Sequence, residues 1–265
     1  MMTTQIKPLQ PFLKWCGGKR ELAAKLAEMY EPFRNTHTWV EPFCGALGAT
    51  LGVMPQRAVL SDVNPHLINL YRRIDQGMSN PQHWANTEEQ YYEIRRRFNA
   101  YQFSDEFNAQ AFYYMNRVGY RGLCRTNLDG GFNVPFGHYK KPILDHDFSA
   151  YRKAFRYWDF FNYGYEAALA LSKEHVRPCF YYADPPYDDG FTGYSGSFTW
   201  DDQVNLVSTL AALNYPVVAS NKATDRIIDL YQGLGFNIEI ISVRRRISCN
   251  GDRSPVDEIL ATRNL

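Results

Sequence analysis

Two short apolar runs, each ending near an acid and separated by a glycine turn and a helical stretch, constrain this chain most. The first spans 37–43, carries Trp39, Val40 and Glu41, and runs into Cys44-Gly45-Ala46-Leu47-Gly48. The second, RAVLSD (57–62), ends in Asp62. Strand, turn, helix and strand at this spacing predict a βαβ unit with a glycine turn after its first strand. The alternation returns after about residue 150. PCFYYADPPY (178–187) predicts an apolar strand, followed by a helix over 201–213, a strand over 215–220, a helix over 224–232 and a strand over 236–243. The last apolar run, 256–262, is close enough to its predecessor to pair with it antiparallel.

Between these halves the pattern changes. Residues 20–31 read as an amphipathic helix, and 64–119 as mostly helical with a break near Gly77–Pro81. Glycines at 119, 122, 130, 131 and 137 punctuate polar and aromatic runs over 120–142, the mark of a hairpin or ordered loop. The expected fold class is therefore α/β: a mostly parallel Rossmann-like sheet formed by residues 1–64 and 151–265, interrupted by a helical insertion over 65–150.

Composition narrows the class. Hydrophobic residues make up 45% of the 265, enough to build a packed core, which excludes a disordered chain. No apolar run approaches the roughly 18 residues needed to span a bilayer, and the first residues lack the apolar core of a secretory signal. The five cysteines are scattered with no C-x-x-C pair, which suits a reduced cytoplasm and offers neither a disulfide framework nor a metal site. Net charge is only +1, yet Arg117, Arg121, Arg125, Lys140 and Lys141 face Asp129 alone over 117–141, and Arg244, Arg245, Arg246 and Arg253 form a second knot. Two basic patches on a neutral body fit either a solvated surface or a face that grips phosphates.

The sharpest chemistry lies at Asp184-Pro185-Pro186-Tyr187, directly after an apolar strand, where open α/β sheets place their ligands. An exocyclic aromatic amine is a poor nucleophile because its lone pair is delocalised. A carboxylate accepting one N–H and a backbone carbonyl accepting the other would hold that nitrogen nearer tetrahedral geometry. Asp184 supplies the first acceptor, Pro185 a stiffened second, and Tyr187 a face on which a planar base stacks for about 1–3 kcal/mol. Such a base must leave its duplex first, and segment 188–199, with Phe191, Tyr194 and Phe198, could close over it. Around the glycine turn, Asp62 stands where an acid can bind ribose hydroxyls. The turn is not G-x-G-x-x-G, which disfavours a pyrophosphate cofactor and a nicotinamide dehydrogenase with it. In Phe12-Leu13-Lys14-Trp15-Cys16-Gly17-Gly18-Lys19 an aromatic wall and a cation flank two glycines, an arrangement that serves either a structural turn or a ligand site.

These blocks, in this order, resemble the Dam-type family of DNA adenine-N6 methyltransferases, whose known members act mainly on GATC. The resemblance covers nearly the whole chain: FLKWCGGK (12–19), VEPFCGALGAT (40–50), LSDVNPHLINLY (60–71), NRVGYRGLCRTNLDGGFNVPFGHYKKP (116–142), DPPY (184–187), SNKAT (220–224) and RRRISCNGDRSPVDEILA (244–261). It implies a site-specific enzyme that methylates adenine in duplex DNA with S-adenosyl-L-methionine, releases S-adenosyl-L-homocysteine and needs no metal. Trp15, Lys19, Glu41, Phe43, Asp62 and Asp184 would border the cofactor, and Asp184, Pro185 and Tyr187 would form the reactive group. The insertion becomes a target-recognition domain bearing a β-hairpin. There Arg125 would contact guanine, with Leu123, Pro135 and Tyr120 as further base contacts, Tyr139 at the site or in the stack, and Lys14 reaching a base from the catalytic domain. Arg117, Arg121, Asn127, His138 and Lys140 complete the expected DNA face.

Arg121 and His138 depart from the smaller polar residue and the basic residue common in relatives, as does Ala46-Leu47-Gly48 in the turn. The resemblance further implies a cytoplasmic monomer, acting in a bacterial nucleoid or a phage-infected host, of which more than one copy could sit on DNA. Methylation of an RNA base or a glutamine amide, and a noncatalytic DNA-binding regulator, are the competing readings. The Arg/Gly/aromatic segment 119–142 favours duplex DNA over the first two, and the intact DPPY argues against the third.

Overall fold

The computed structural model describes residues 7–100, 104–127, 130–173, 176–188, 198–243 and 255–265. The first half of the chain gives helix α1 (Ala23–Tyr30), strand β1 (Thr38–Glu41), helix α2 (Thr50–Val53), strand β2 (Ala58–Ser61) and helix α3 (Pro65–Asp75). Helices α4 (Glu88–Asn99), α5 (Asp105–Val118) and α6 (Ser149–Phe155) follow, then strand β3 (Trp158–Phe161), helix α7 (Tyr165–Lys173) and strand β4 (Cys179–Ala183). The C-terminal part holds α8 (Trp200–Ala211), β5 (Val217–Lys222), α9 (Asp225–Gly233), β6 (Asn237–Val243) and β7 (Val256–Arg263).

The seven strands form one sheet in the order β3-β2-β1-β4-β5-β7-β6. The first five are parallel, and β7 runs antiparallel between β5 and β6. This is the expected Rossmann-like α/β sheet, and β7 does pair with its predecessor as its position predicts. The inner strands β1, β2 and β4 are buried along their whole length, which is why they read as unbroken apolar runs rather than alternating ones. Successive residues still serve opposite faces. Phe180 and Tyr182 join one core with Trp39 and Leu60, while Tyr181 and Ala183 join the other with Val40 and Val59. β3 was not foreseen: it is a four-residue edge strand in which buried Trp158 and Phe160 alternate with exposed Asp159, so it offers no unbroken apolar run.

Local chemistry sets the helix ends. The Asn64 side chain accepts from the backbone N–H of His66 and Leu67, with Pro65 preset for the first turn of α3. Thr199 and Asp202 form a reciprocal capping box at α8. The close helix contact that the glycine turn does not supply comes four residues after it. A Cβ on Gly52 would stand 2.2 Å from that of Ala23, so α1 and α2 touch only because position 52 has no side chain.

Residues 65–150 share a core with the sheet. Tyr71 of α3 packs on Phe12, Phe155 and Phe160, Arg72 donates to the Phe160 carbonyl, and Phe112, Tyr113 and Met115 of α5 belong to the same buried cluster as Trp39. The glycine-punctuated segment runs out and back as expected, with Tyr120 donating to Pro135 at 2.9 Å, Asn133 to Arg125 at 3.0 Å and Asn127 to Gly131 at 2.8 Å. It is not a regular β-hairpin. Among the described residues it carries two isolated antiparallel bridges, Gly119 with Phe136 and Thr126 with Phe132. The ladder breaks because residues 120–122 coil into a 3-10 turn, with Arg121 left-handed at φ 54°.

Candidate active site and nucleic-acid interface

Strands β1 and β4 are neighbours, but the chain leaves β1 for β2 on one side and reaches β5 from β4 on the other. Their carboxyl ends therefore open a crevice at the point where strand order reverses. The glycine turn, the Asp62 loop, the Asp184 loop and the 12–19 segment converge there. Gly45 is left-handed (φ +44°), and a Cβ on it would lie 3.2 Å from the Trp15 indole nitrogen. Its N–H donates to Asp62 at 3.0 Å, and its carbonyl accepts from Tyr71 at 2.6 Å. The other oxygen of Asp62 accepts from the Asn64 N–H at 2.9 Å. Burial raises the Asp62 pKa, with these two backbone bonds opposing it. Trp15, Gly45 and Asp62 thus form one wall.

Glu41 and Phe43, expected beside the same ligand, sit differently. Glu41 is buried, and one oxygen accepts from the Trp39 indole at 3.0 Å and from the Thr50 hydroxyl. Burial pushes its pKa up to about 8, against those two bonds. Phe43 is half-buried, stacked on Tyr165 and edge-on to Phe198, so it links the turn to the start of α8.

At the end of β4, Lys19 and Asp184 form an ion pair at 3.0 Å. Ser220 of β5 donates to the same Asp184 oxygen at 2.9 Å. A serine hydroxyl has one proton, so Tyr182 must donate to Ser220 across their 2.9 Å contact. Lys19 is only 5% exposed and also meets the Tyr187 hydroxyl at 3.1 Å and Glu258 of β7 at 3.6 Å. Tyr187 donates in turn to Glu258. Burial raises the Asp184 pKa to about 6, with Lys19 pulling it down and Glu258 pushing it up. For Lys19 burial opposes the charged form, but Asp184, Tyr187 and Glu258 outweigh it and hold the ammonium charged. From below, Gln203 of α8 donates to the Pro186 carbonyl at 2.7 Å and accepts from Asn221 at 3.0 Å, which fixes the Pro-Pro bend. Arg226 of α9 pairs with Asp188 and stacks on Trp200, pinning the chain just beyond DPPY.

Ser220, Gln203 and Glu258 were not among the sequence candidates. Glu258 carried a visible signal: a carboxylate in the middle of the apolar strand VDEILA, at a position that faces the sheet's interior.

The expected DNA face splits in two. Tyr120, Arg121, Arg125, Asn127, Pro135, His138 and Lys140 are exposed, while Leu123 and Tyr139 are half-buried. Arg125 is not a loose side chain, since Asn133 accepts from its Nε at 2.8 Å. Asn127 accepts from the Gly131 N–H at 2.7 Å and so braces the tip. Arg117 points inward to the carbonyls of Phe12 and Ile143, which makes it a support of the segment. Lys14 donates to the Arg117 carbonyl at 2.9 Å with its ammonium 3.5 Å from the Tyr139 ring centre. Burial, then the charge of Arg117, lowers its pKa to about 8. Asn116 accepts from the Lys14 N–H and donates to its carbonyl, at 2.9 and 2.7 Å. The 12–19 segment and the glycine-punctuated segment are therefore clamped together.

Arg244, Arg245, Arg246 and Arg253, and Phe191 and Tyr194 of the expected closing loop, lie outside the described residues. Among the described residues no group of three or more His, Cys, Asp or Glu could hold a metal ion, and no helix is long and apolar enough to cross a membrane.

The sequence pattern of a family described as D12 class N6 adenine-specific DNA methyltransferase matches residues 15–247. A DNA adenine methylase of Vibrio cholerae serotype O1 is 37% identical over 280 residues, covering 97% of this chain and 96% of that one. A DNA adenine methylase of Escherichia coli K12 matches with the same identity and coverage. The retron Ec67 DNA adenine methylase of Escherichia coli is 33% identical over 267 residues, or 96% and 91% of the two chains.

Proposed function

The chain belongs to the D12 class of N6 adenine-specific DNA methyltransferases, and we propose that it moves a methyl group from S-adenosyl-L-methionine to an adenine swung out of duplex DNA at GATC. The observation that carries this reading is the cluster at the end of β4. A carboxylate raised in pKa, a buried ammonium and an anchored tyrosine ring meet within four angstroms at the switch-point crevice.

The residues fit the cofactor. Around a glycine turn whose backbone a ligand can approach stand an indole (Trp15), a cation suited to an amino-acid carboxylate (Lys19) and an acid suited to a ribose diol (Asp62). When bound, the cofactor supplies a methyl group on a cationic sulfur. The chain's own residues do the rest. Asp184 accepts one N6–H bond and the Pro185 carbonyl the other, turning the nitrogen lone pair toward the donor. Tyr187 stacks on the purine and offsets the few kcal/mol that extrusion costs. The raised pKa of Asp184 also lets it take up the amine proton that is lost after transfer.

Residues 65–150 serve as the target-recognition part, with Arg125 reading guanine through a fork that Asn133 holds in place. Exposed Arg121 and Lys140 meet phosphates, and Tyr120, Leu123 and Pro135 meet bases. The enzyme is a cytoplasmic monomer of which more than one copy can sit on DNA, and a methyl mark of this kind serves replication control, mismatch-repair marking or protection from restriction. The test is transfer of labelled methyl to duplexes with and without GATC, and to RNA and protein. Label appears only in GATC duplex, and Asp184→Ala abolishes it while DNA affinity stays within a few-fold. Label in RNA or protein, or turnover by the Ala variant, overturns the reading.

A further inference from the structure

Glu258 is the least expected member of the cluster. It lies on β7, in register with Lys222 of β5 and Ile241 of β6, and only 4% of it is exposed. One oxygen takes the Tyr187 phenol and faces Lys19 at 3.6 Å. The other is buried and accepts no hydrogen bond among the described residues. A half-satisfied buried carboxylate weakens a sheet that an apolar residue would strengthen. A strand that carries one therefore gains something other than stability from it.

That gain follows from what the carboxylate touches. A tyrosine ring has two torsions, and anchoring its hydroxyl fixes both, so the plane offered to a stacked base is set by Glu258. The same oxygen competes with Asp184 for a single ammonium, which keeps Lys19 from neutralising the Asp184 carboxylate completely. We propose that Glu258 is a positioning residue for methyl transfer, fixing the Tyr187 ring and dividing the Lys19 charge with Asp184. This rests on the reading of Asp184 and Tyr187 as the groups that meet the base.

Asp184 is faced by Lys19 from the N-terminal segment, Glu258 from β7, Ser220 from β5, Glu41 from β1, Tyr231 from α9, and Tyr182 and Tyr187 from its own strand and loop. Of these, Glu258 is the charged group that raises its pKa and can be neutralised without touching the base.

A double-mutant cycle with cofactor and DNA saturating separates a positioning role from a structural one. Tyr187→Phe and Glu258→Ala should each lower kcat about tenfold with little change in KM, and the loss in the double variant should fall well short of the product of the two, since both remove the Tyr187–Glu258 bond. Losses that multiply, or a folded Glu258→Ala with normal kcat, overturn the proposal. Glu258→Gln keeps an acceptor for the phenol but not the charge, and it decides the matter if the Ala variant fails to fold. Its kcat at high pH should lie between those of the parent and of Glu258→Ala, because the phenol keeps an acceptor while Lys19 is no longer shared, with the acidic limb moved to lower pH because Asp184 loses a like charge. An unmoved limb counts against Glu258. Asp184→Ala is run alongside: if it turns over, the reading of the site fails, whereas if it is dead and the other losses are independent, only the role of Glu258 fails.

Discussion

In the proposed reaction Asp184 is the stronger N–H acceptor, and can take up the amine proton, only as an anion, yet burial pushes its pKa up to about 6, with Lys19 opposing. Turnover should therefore fall as pH drops through about 6, and a rate profile at saturating substrates reads that limb directly. A flat profile down to pH 5 would show that the ionised group is not needed. Glu41 titrates with the opposite consequence. Its folded pKa of about 8 lies above the ordinary carboxylate value, so the fold prefers the neutral acid. The stability it confers is complete at acid pH and drains away as pH rises from about 4.3 through the folded value, by a few kcal/mol at most. Glu41→Gln keeps an acceptor for Trp39 and Thr50 without titrating. It should pull ahead of the parent in urea unfolding at pH 8.5 relative to pH 5, and an unchanged gap would mean that Glu41 is ionised in the fold. Asp184, Lys19 and Tyr187 were legible in the sequence because each sits in a short block of dense chemistry. Ser220 was not, because it reaches the cluster through sheet pairing across dozens of residues, which no local pattern encodes; Glu258 stands out as a carboxylate within an apolar strand, but its partners likewise come only from the pairing of β7 with β5.

At the level of elements, the sheet was readable and the recognition segment only partly so. Buried parallel strands announce themselves as apolar runs, and β1, β2, β4 and β5 fall close to where those runs lie. β3 is an edge strand of four residues that alternates buried Trp158 and Phe160 with exposed Asp159, and it has no such signature. The glycines of 119–137 correctly indicate a chain that doubles back, but turns and bridges to α4 and α5 hold it rather than a strand ladder. Tyr91 donates to the Val134 carbonyl, and Asn99 brackets Phe132 through both its backbone groups. Arg121 and His138, two of the departures from the family pattern, are both left-handed, at φ 54° and 52°. Asn tolerates that region better than Arg, so Arg121→Asn should stabilise the fold by about 0.5–1 kcal/mol while weakening DNA binding on every sequence alike. Destabilisation would show that the Arg121 contact with the Tyr120 ring outweighs the backbone cost. Arg125→Ala should instead cost about 1–3 kcal/mol of discrimination at one guanine. Asn133→Ala should lose part of the same discrimination, because the fork is then unbraced; equal loss on all sequences would make Arg125 a phosphate contact.

In the molecule as a whole, one core runs from the sheet into residues 65–150, and the Asn116 clamp on Lys14 joins α5 to the 12–19 segment, the proposed DNA and cofactor sides. Net charge is close to zero, so the proposed grip on DNA rests on local basic surface rather than on an overall field. Affinity should nonetheless fall steeply with salt through counterion release, and a shallow slope in fluorescence titrations would rule out extensive phosphate contact. The central claim is that this chain methylates adenine N6 within GATC through the Asp184 cluster. Its most direct test is a genome-wide map of N6-methyladenine in a methylation-free bacterial host expressing the protein or its Asp184→Ala variant. Methyl marks confined to GATC for the parent and none for the variant are expected; marks in another sequence, or marks that survive the substitution, would contradict it.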